Sequence, residues 1–467
     1  WRDRRDDVLE VGRQVVEHLA ESIDVGGAPL GPDDLDEAAA SLTAAHDDEA
    51  GGYGTSPKFP PSMVLEFLLR HADRTGGSLD EVAHTCEAMA RGGLYDQLGG
   101  GFARYSVDRF WVVPHFEKML YDNAQLMRAY LHWWRQDPTP LAERVVRETA
   151  RFMLDELRTP EGGFASALDA DSPDTSGAVH EGAFYAWNPH QLQKVLGTTD
   201  AAWAVRLLVV TGPGTFERGL STLQLREDPD DADRWTDVRA RLLAARSERA
   251  RPARDDKVVA SWNGLAVSAL AEAGVLLDDP EMVDAAVEAA DLLVRVHGTD
   301  GADFARTSRD GVAGSNRAVL EDLGSVAEAF VVLLGVTGDA VWLQRARVLL
   351  DRALEQFAVG DGRFHDTAAD AETLIVRPRD ESDNAYPSGT SAVVHALVAF
   401  AAVTGEHRYR EAAEAAVTAA AHLATGAPRF AGWTLAAAEA MVAGPRQVAG
   451  VGAPAERAEL HRAALGL

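Results

Sequence analysis

The sequence predicts an all-α protein, an (α/α)6 toroid of the six-hairpin glycosidase kind, on two observations. Apolar residues recur at helical spacing over most of the chain, as in Met63-Val64, Phe67-Leu68 and His71, or Leu265, Ser268-Ala269, Glu272 and Leu276. A Gly-rich segment carrying an aromatic also recurs after successive helix pairs. Its copies are Gly51-Gly52-Tyr53, Gly99-Gly100-Gly101-Phe102, Gly162-Gly163-Phe164, Gly301-Ala302-Asp303-Phe304 and Gly360-Asp361-Gly362-Arg363-Phe364, with a weaker one at Pro428-Arg429-Phe430. Each pair buries its apolar face only against its neighbours, so alternating inner and outer helices with a long loop after every second one close on themselves.

Taken in order, the expected pairs are 61–74 with 79–94, 115–136 with 138–157, 189–210 with 231–249, 259–278 with 280–297, 317–337 with 339–358, and 383–404 with 406–424. Turn residues such as Leu277-Asp278-Asp279-Pro280 and Val336-Thr337-Gly338-Asp339 join antiparallel neighbours. The interval from Gly162 to Gly301 is about twice the others, which predicts a degenerate loop copy near Thr211-Gly212-Pro213-Gly214. The long loops are expected on one rim, with their aromatics lining the mouth of the central cavity. Residues 31–445 are expected to form this barrel and 446–467 a C-terminal tail.

Across 467 residues, 45 Lys plus Arg stand against 73 Asp plus Glu, and 45 − 73 gives a net charge of −28. That balance argues against nucleic acid and anionic membranes as partners, because phosphate-backbone affinity comes mostly from Lys and Arg. No stretch approaches the ~20 apolar residues of a membrane span, and the expected location is cytoplasmic. The lone Cys86 excludes an intramolecular disulfide or a thiolate metal cluster within the chain. No dinucleotide, Walker or His-Glu-x-x-His motif is present, and the sequence points to no cofactor and no metal.

Chemistry-bearing residues are concentrated in a few segments at inner-helix starts or on rim loops. Ser56-Pro57-Lys58-Phe59-Pro60 offers Lys58 and Phe59. The stretch 101–123 packs Arg104, Tyr105, Trp111, His115, Glu117, Lys118, Tyr121 and Asp122 together. A helix starting near Pro114 would put His115, Lys118 and Asp122 on one face and Glu117 with Tyr121 on another. His115 is then a candidate acid/base near neutral pH, oriented or charged by Glu117 or Asp122. Asp169-Ala170-Asp171, followed by Glu181, Tyr185 and Trp187, places carboxylates beside aromatic platforms. This suits a sugar site, in which two carboxyl groups lie ~5–9.5 Å apart and rings hold apolar sugar faces. The two Asp resemble half a calcium site, but no Gly-centred loop with a distal Glu follows. Asp255-Asp256-Lys257 precedes Ser261-Trp262-Asn263, where Asp256 and Lys257 suggest a charge pair and Trp262 an aromatic wall beside Asn263. Glu321-Asp322 opens the fifth pair, with Asp322 as a candidate carboxylate. Asp383 and Ser388 open the sixth, Ser388 reading as a helix cap.

Several of these stretches resemble one family. They are Gly-Tyr-Gly-Thr-Ser-Pro-Lys-Phe-Pro at 52–60, Tyr-Ser-Val-Asp at 105–108, Trp-Val-Val-Pro-His-Phe-Glu-Lys-Met-Leu-Tyr-Asp at 111–122, Asp-Ala-Asp-Ser at 169–172, Asp-Asp-Lys at 255–257, Ser-Trp-Asn-Gly-Leu at 261–265, Leu-Glu-Asp at 320–322 and Pro-Ser-Gly at 387–389. The chain resembles the YyaL-like, thioredoxin-domain-containing relatives of spermatogenesis-associated protein 20. The resemblance implies a toroid similar to six-hairpin glycosidases and N-acylglucosamine 2-epimerases, preceded by a thioredoxin-like domain of the same protein whose last helix residues 1–30 would hold. Leu323 stands where the family usually has an aromatic.

The leading functional expectation is a small, sugar-like ligand and acid/base chemistry in the cavity. Isomerisation or epimerisation would use His115 with a second base, and hydrolysis two of Asp169, Asp171, Glu181, Asp256 and Asp322. The rival expectation is a non-catalytic toroid whose rim docks a peptide or protein for an upstream redox domain.

Overall fold

The computed structural model describes residues 4–20, 27–174, 176–298, 304–446, 448, 459–461 and 463–464. The expected loop at Gly301-Ala302-Asp303, the junction at 21–26 and most of the tail after 446 lie outside the described residues. Sixteen α-helices are present among the described residues. They are α1 (Arg5–Ala20), α2 (Pro32–Ala45), α3 (Ser62–Thr75), α4 (Asp80–Arg91), α5 (Leu120–Gln136), α6 (Pro140–Phe152), α7 (Pro189–Leu207), α8 (Ala232–Ser247), α9 (Ala260–Leu276), α10 (Pro280–Leu292), α11 (Leu320–Thr337), α12 (Val341–Gln356), α13 (Gly389–Thr404), α14 (His407–Ala419), α15 (Ala421–Gly426) and α16 (Gly432–Ala443).

Helices α3, α5, α9, α11, α13 and α16 form a closed inner ring, each packed on the next and α16 returning to α3. Apolar residues cover nearly every face of α9, α11, α13 and α16, as burial on all sides requires. The outer helices are held by caps and turns: Thr139 accepts from Ala142 N ahead of Pro140 in α6, and Asp279 accepts from Glu281 N ahead of Pro280 in α10. Gly338 and Gly405 end α11 and α13 in the left-handed conformation, turning the chain directly into α12 and α14.

The (α/α)6 toroid is therefore present, with one pair different from expectation. The segments 189–210 and 231–249 form α7 and α8, which pack on each other around Trp187, Trp203 and Trp235 in a separate apolar cluster outside the ring. The sixth ring pair is instead α16 with α2, so the two ends of the domain meet at one seam. Periodicity identifies a helix pair but carries no information on whether it joins the ring. The doubled interval between loop copies is thus an inserted layer, not a degenerate repeat.

A second correction concerns the loop aromatics. Tyr53, Phe102, Phe164, Phe304 and Phe364 are at most 2% exposed and plug the core beneath the rim. Tyr53, Phe102, Phe164 and Phe364 each make an isolated β-bridge back to the segment after the preceding outer helix. Asn123 and Asn263, in the first turns of α5 and α9, secure two of these plugs. Asn123 accepts from Phe102 N at 2.7 Å and donates to Phe102 O, and Asn263 does the same with Phe164 at 2.8 Å and 3.0 Å.

Inner helices approach closely where glycine faces a neighbouring backbone. A Cβ on Gly324 of α11 would lie 2.5 Å from Val393 N and 2.6 Å from Ala392 C of α13, and one on Gly264 of α9 2.7 Å from Ser325 C of α11. Backbone cannot yield as a side chain does, so Gly324→Ala is expected to destabilise the protein by about 1–3 kcal/mol. Gly335→Ala, with open space around its Cβ position, should cost far less. Urea denaturation of the two variants side by side checks this.

Candidate active site on the loop rim

The six inner helices begin on the face that carries the long loops, and side chains at the starts of α5, α9 and α13 meet there. Tyr121 of α5, Trp262 of α9 and Tyr386, just before α13, form a triangle of rings with centroids 4.8, 5.1 and 6.0 Å apart. Tyr121 is buried, whereas Trp262 and Tyr386 keep part of their surface open. Trp262 Nε1 has no hydrogen-bond partner.

Carboxyl groups border this triangle. Asp122 is 4% exposed and its Oδ2 has no partner. Burial lifts its carboxyl well above the ordinary carboxylate range, against the nearby Arg104 guanidinium. Arg104 donates to Glu117 at 3.0 Å. On the opposite side Arg306 donates to Glu321 at 2.7 Å. Burial, then the charge of Asp322, pushes Glu321 up to about 7 in spite of Arg306.

The chain from Pro114 to Met119 is not helical, which corrects the expected helix start. Tyr105–Ser106 (β1) pairs with Pro114–His115 (β2), and Lys118–Met119 (β3) pairs with Ala167–Leu168 (β4). Backbone pairing to two rim loops wins over helix propagation, and α5 begins only at Leu120. His115 therefore does not share a helix face with Lys118 and Asp122. Its ring stacks on Tyr105 with centroids 5.0 Å apart, and Nδ1 lies 2.6 Å from Glu181 Oε1, with Glu117 3.7 Å from Nε2. Glu181 arrives on a hairpin in which Asp171–Pro173 (β5) pairs with Val179–Glu181 (β6), Asp171 opposite Glu181. Phe59 packs on Tyr105 at 4.7 Å.

Thus Phe59, Arg104, Tyr105, His115, Glu117, Tyr121, Asp122, Glu181 and Trp262 lie in a chain of contacts along the rim. Asp171 at the start of β5 and Asp169 just before it stand beside it, Asp169 Oδ1 accepting from Asp171 N.

Other expected residues serve the scaffold. Lys58 is fully buried, donating to Asp47 at 2.8 Å beneath the ring of Trp111, and Trp111 is equally buried with Nε1 on Ala50 O. Neither offers a face to a ligand. Tyr185 packs on Phe116 beside Lys118, and Trp187 lies under Arg249 in the inserted layer. Asp256 pairs with Arg254, while Lys257 pairs with Asp255 on the surface. Asn263 clamps the Phe164 loop. Asp322 is completely buried, accepting from Ser261 N and Val319 N at the starts of α9 and α11. Asp383 accepts from Ser388 N and Trp433 N at the starts of α13 and α16, and Ser388 caps α13.

Glu321, Arg306 and Tyr386 are the rim residues that sequence reasoning did not select. Glu321 directly precedes the selected Asp322, and Tyr386 lies between the selected Asp383 and Ser388. For Arg306 no local signal marks it, since its place depends on the loop that carries it to α11.

No protein-family model matches the chain. Human spermatogenesis-associated protein 20 is 31% identical over 472 residues, a match covering 90% of this chain and 60% of the human protein. The chain is a homologue of spermatogenesis-associated protein 20. It spans about three-fifths of the length of the curated relatives it matches. Among solved structures, this homologue resembles a sugar epimerase from a ruminal bacterium at 13% identity and a TM-score of 0.53, covering 82% of this chain and 83% of the epimerase. It also resembles a glycoside hydrolase family 76 mannosidase of Bacteroides thetaiotaomicron at 8% identity and a TM-score of 0.53, covering 88% of this chain and 97% of the mannosidase. These likenesses establish the shared (α/α)6 fold. No helix among the described residues is long and apolar enough to cross a membrane.

The raised carboxyl of Glu321 carries a sign for stability. The folded state holds a proton that the unfolded chain has released between about pH 4.5 and 7, so this group's contribution falls as pH rises through that window. Glu321→Gln is expected to remove on the order of 2–3 kcal/mol of that fall. Urea titrations of both proteins at pH 5 and pH 8 measure the difference.

Proposed function

We propose that the loop rim binds a sugar and performs acid/base chemistry on it, in the manner of a sugar isomerase or epimerase. The observation that carries this reading is the triangle of Tyr121, Trp262 and Tyr386, bordered by the carboxyl of Asp122, which burial lifts well above the ordinary carboxylate range, and by that of Glu321, pushed up to about 7. Rings of this kind pack against the apolar faces of a pyranose. A carboxyl group poised near pH 7 both donates and accepts protons efficiently. Glu321 is the better-placed exchanger, since its side chain is 15% exposed whereas Asp122 is almost closed off. His115, held by Glu181 and stacked on Tyr105, supplies a second acid/base group on the other side of the rim. Arg306 and Arg104 would hold hydroxyl or carbonyl oxygens and stabilise charge that develops there.

Removing a proton next to a carbonyl and returning it exchanges that hydrogen with solvent. Proton NMR in D2O with a panel of mono- and disaccharides should therefore reveal loss of C2-proton signals without new reducing ends. Glu321→Gln and His115→Ala should each slow exchange by about 10²–10⁴-fold with the fold retained. New reducing ends would reassign the chemistry to hydrolysis. No change across the panel, with the protein folded, would reject the enzymatic reading in favour of a rim that docks a peptide or protein.

A further inference from the structure

The inner helices end on the face opposite the loops, and the ring is hollow there. Two adjoining cavities of about 670 and 730 Å³ share Arg70, Arg128 and Glu272 in their walls. Each lies within the ~300–1,000 Å³ range of small-molecule sites. Their common wall is a charge network tying four inner helices. Arg128 of α5 donates to both oxygens of Glu272 of α9, at 2.9 and 2.8 Å, and to Glu328 of α11 at 2.7 Å. His132, one turn further along α5, lies 2.8 Å from Glu66 of α3 and 3.1 Å from Glu272. Burial opposes the imidazolium of His132, but Glu66 and Glu272 outweigh it and raise its pKa. Carboxylates Glu66, Glu272 and Glu328 thus alternate with Arg70, Arg128 and the imidazole of His132, and the same cavities are lined further by Asp73, Glu406 and Glu439 and by Arg135, Arg410 and Arg446.

The apex of this vestibule reaches the axis of the ring. Glu66 and Arg128 also line a small void there, together with Gln125 and Trp433. Gln125 is 6% exposed and Trp433 3%, yet Gln125 Oε1 and Trp433 Nε1 have no hydrogen-bond partner. One is an acceptor and the other a donor. Leaving either dry costs about 1–3 kcal/mol, so the site calls for a group that both donates and accepts.

A charged ligand would meet repulsion from the like-charged members of this mixed wall. An apolar ligand would strip water from guanidinium and carboxylate groups and return nothing. Hydroxyl groups donate and accept at the same atom, and they match alternating acid and guanidinium partners on every side. We propose that the vestibule opposite the loops is a second binding site, for a neutral polyhydroxylated molecule such as a cyclitol or non-reducing sugar, with one hydroxyl reaching the Gln125 and Trp433 pair at its apex. The site is separate from the rim and does not rest on the chemistry proposed there.

The test uses myo-inositol and trehalose as probes and the full 467-residue chain, with saturation-transfer NMR and the indole Nε1–H resonance of Trp433 as readouts. Ala402 and Val398 line the cavity wall away from the charge network, so Ala402→Trp fills the vestibule, and Val398→Phe provides a milder second filling. Tyr386→Ala combined with Trp262→Ala disables the rim. The expected result is saturation transfer and a shifted Trp433 indole proton in the wild type and in the rim double variant, with at least a five-fold loss in a folded filling variant. Transfer that disappears in the rim double variant and persists in the filled ones overturns the proposal while leaving the rim reading intact. Absence of transfer from the wild type to both probes overturns it as well, and turnover at the rim is then judged separately by C2-proton exchange.

Discussion

Six inner helices that start on the same face of a closed ring bring their unpaired amide groups together in a place that solvent barely reaches. Each helix start leaves backbone N–H groups without intrahelical partners, and a buried one must find an acceptor. The structure answers with buried side chains shared between adjacent helices. Asp322 accepts from the starts of both α9 and α11, and Asp383 serves α13 and α16. Asn123 and Asn263 perform the related task of locking the incoming loops to α5 and α9. Burial raises the carboxyls of Asp322 and Asp383, the latter to about 6, so these bonds are made at a real electrostatic cost.

The same requirement organises the candidate site. On each of three inner helices the residue that serves the backbone has rim side chains immediately before it: Tyr121 and Asp122 before Asn123, Trp262 before Asn263, and Glu321 before Asp322. Successive residues of a helix point about 100° apart, so one side chain turns into the seam between helices and its neighbour turns towards the axis. Scaffold and chemistry are interleaved at single-residue spacing. This is why the short motifs at 111–123, 261–265 and 320–322 are so dense, and why choosing the functional member of each from its letters alone is hard.

The two ends of the ring are chemically unlike. Amino ends of helices gather at the rim, where aromatic surface and carboxyls shifted upward by burial are assembled by loops from several parts of the chain. Carboxyl ends surround the vestibule, whose wall is built from residues deep within the helices, with Arg128 and His132 on α5 as its hub. Between the ends lie Gln125, Leu265 and Trp433. The inserted α7 and α8 layer stands outside this axis, but the preceding segment supplies Glu181 to His115, so the rim depends on chain that is not part of the repeat.

The sequence by itself determined the class of fold, because helical spacing and recurring Gly-aromatic loops are local properties that survive any packing, and it determined most of the rim inventory through motifs at helix starts. Tertiary structure alone decided which helices close the ring. The pair at 189–247 has the same periodicity as ring helices, and only its packing excludes it, while α16 and α2 become partners only because the ends of the domain meet. It also decided that the loop aromatics point inward, that His115 lies on a paired strand facing Glu181, and that Glu321 rather than Asp322 borders the rim. Those outcomes depend on backbone pairing and burial between residues distant in the chain, and neither quantity is written in the spacing of neighbours.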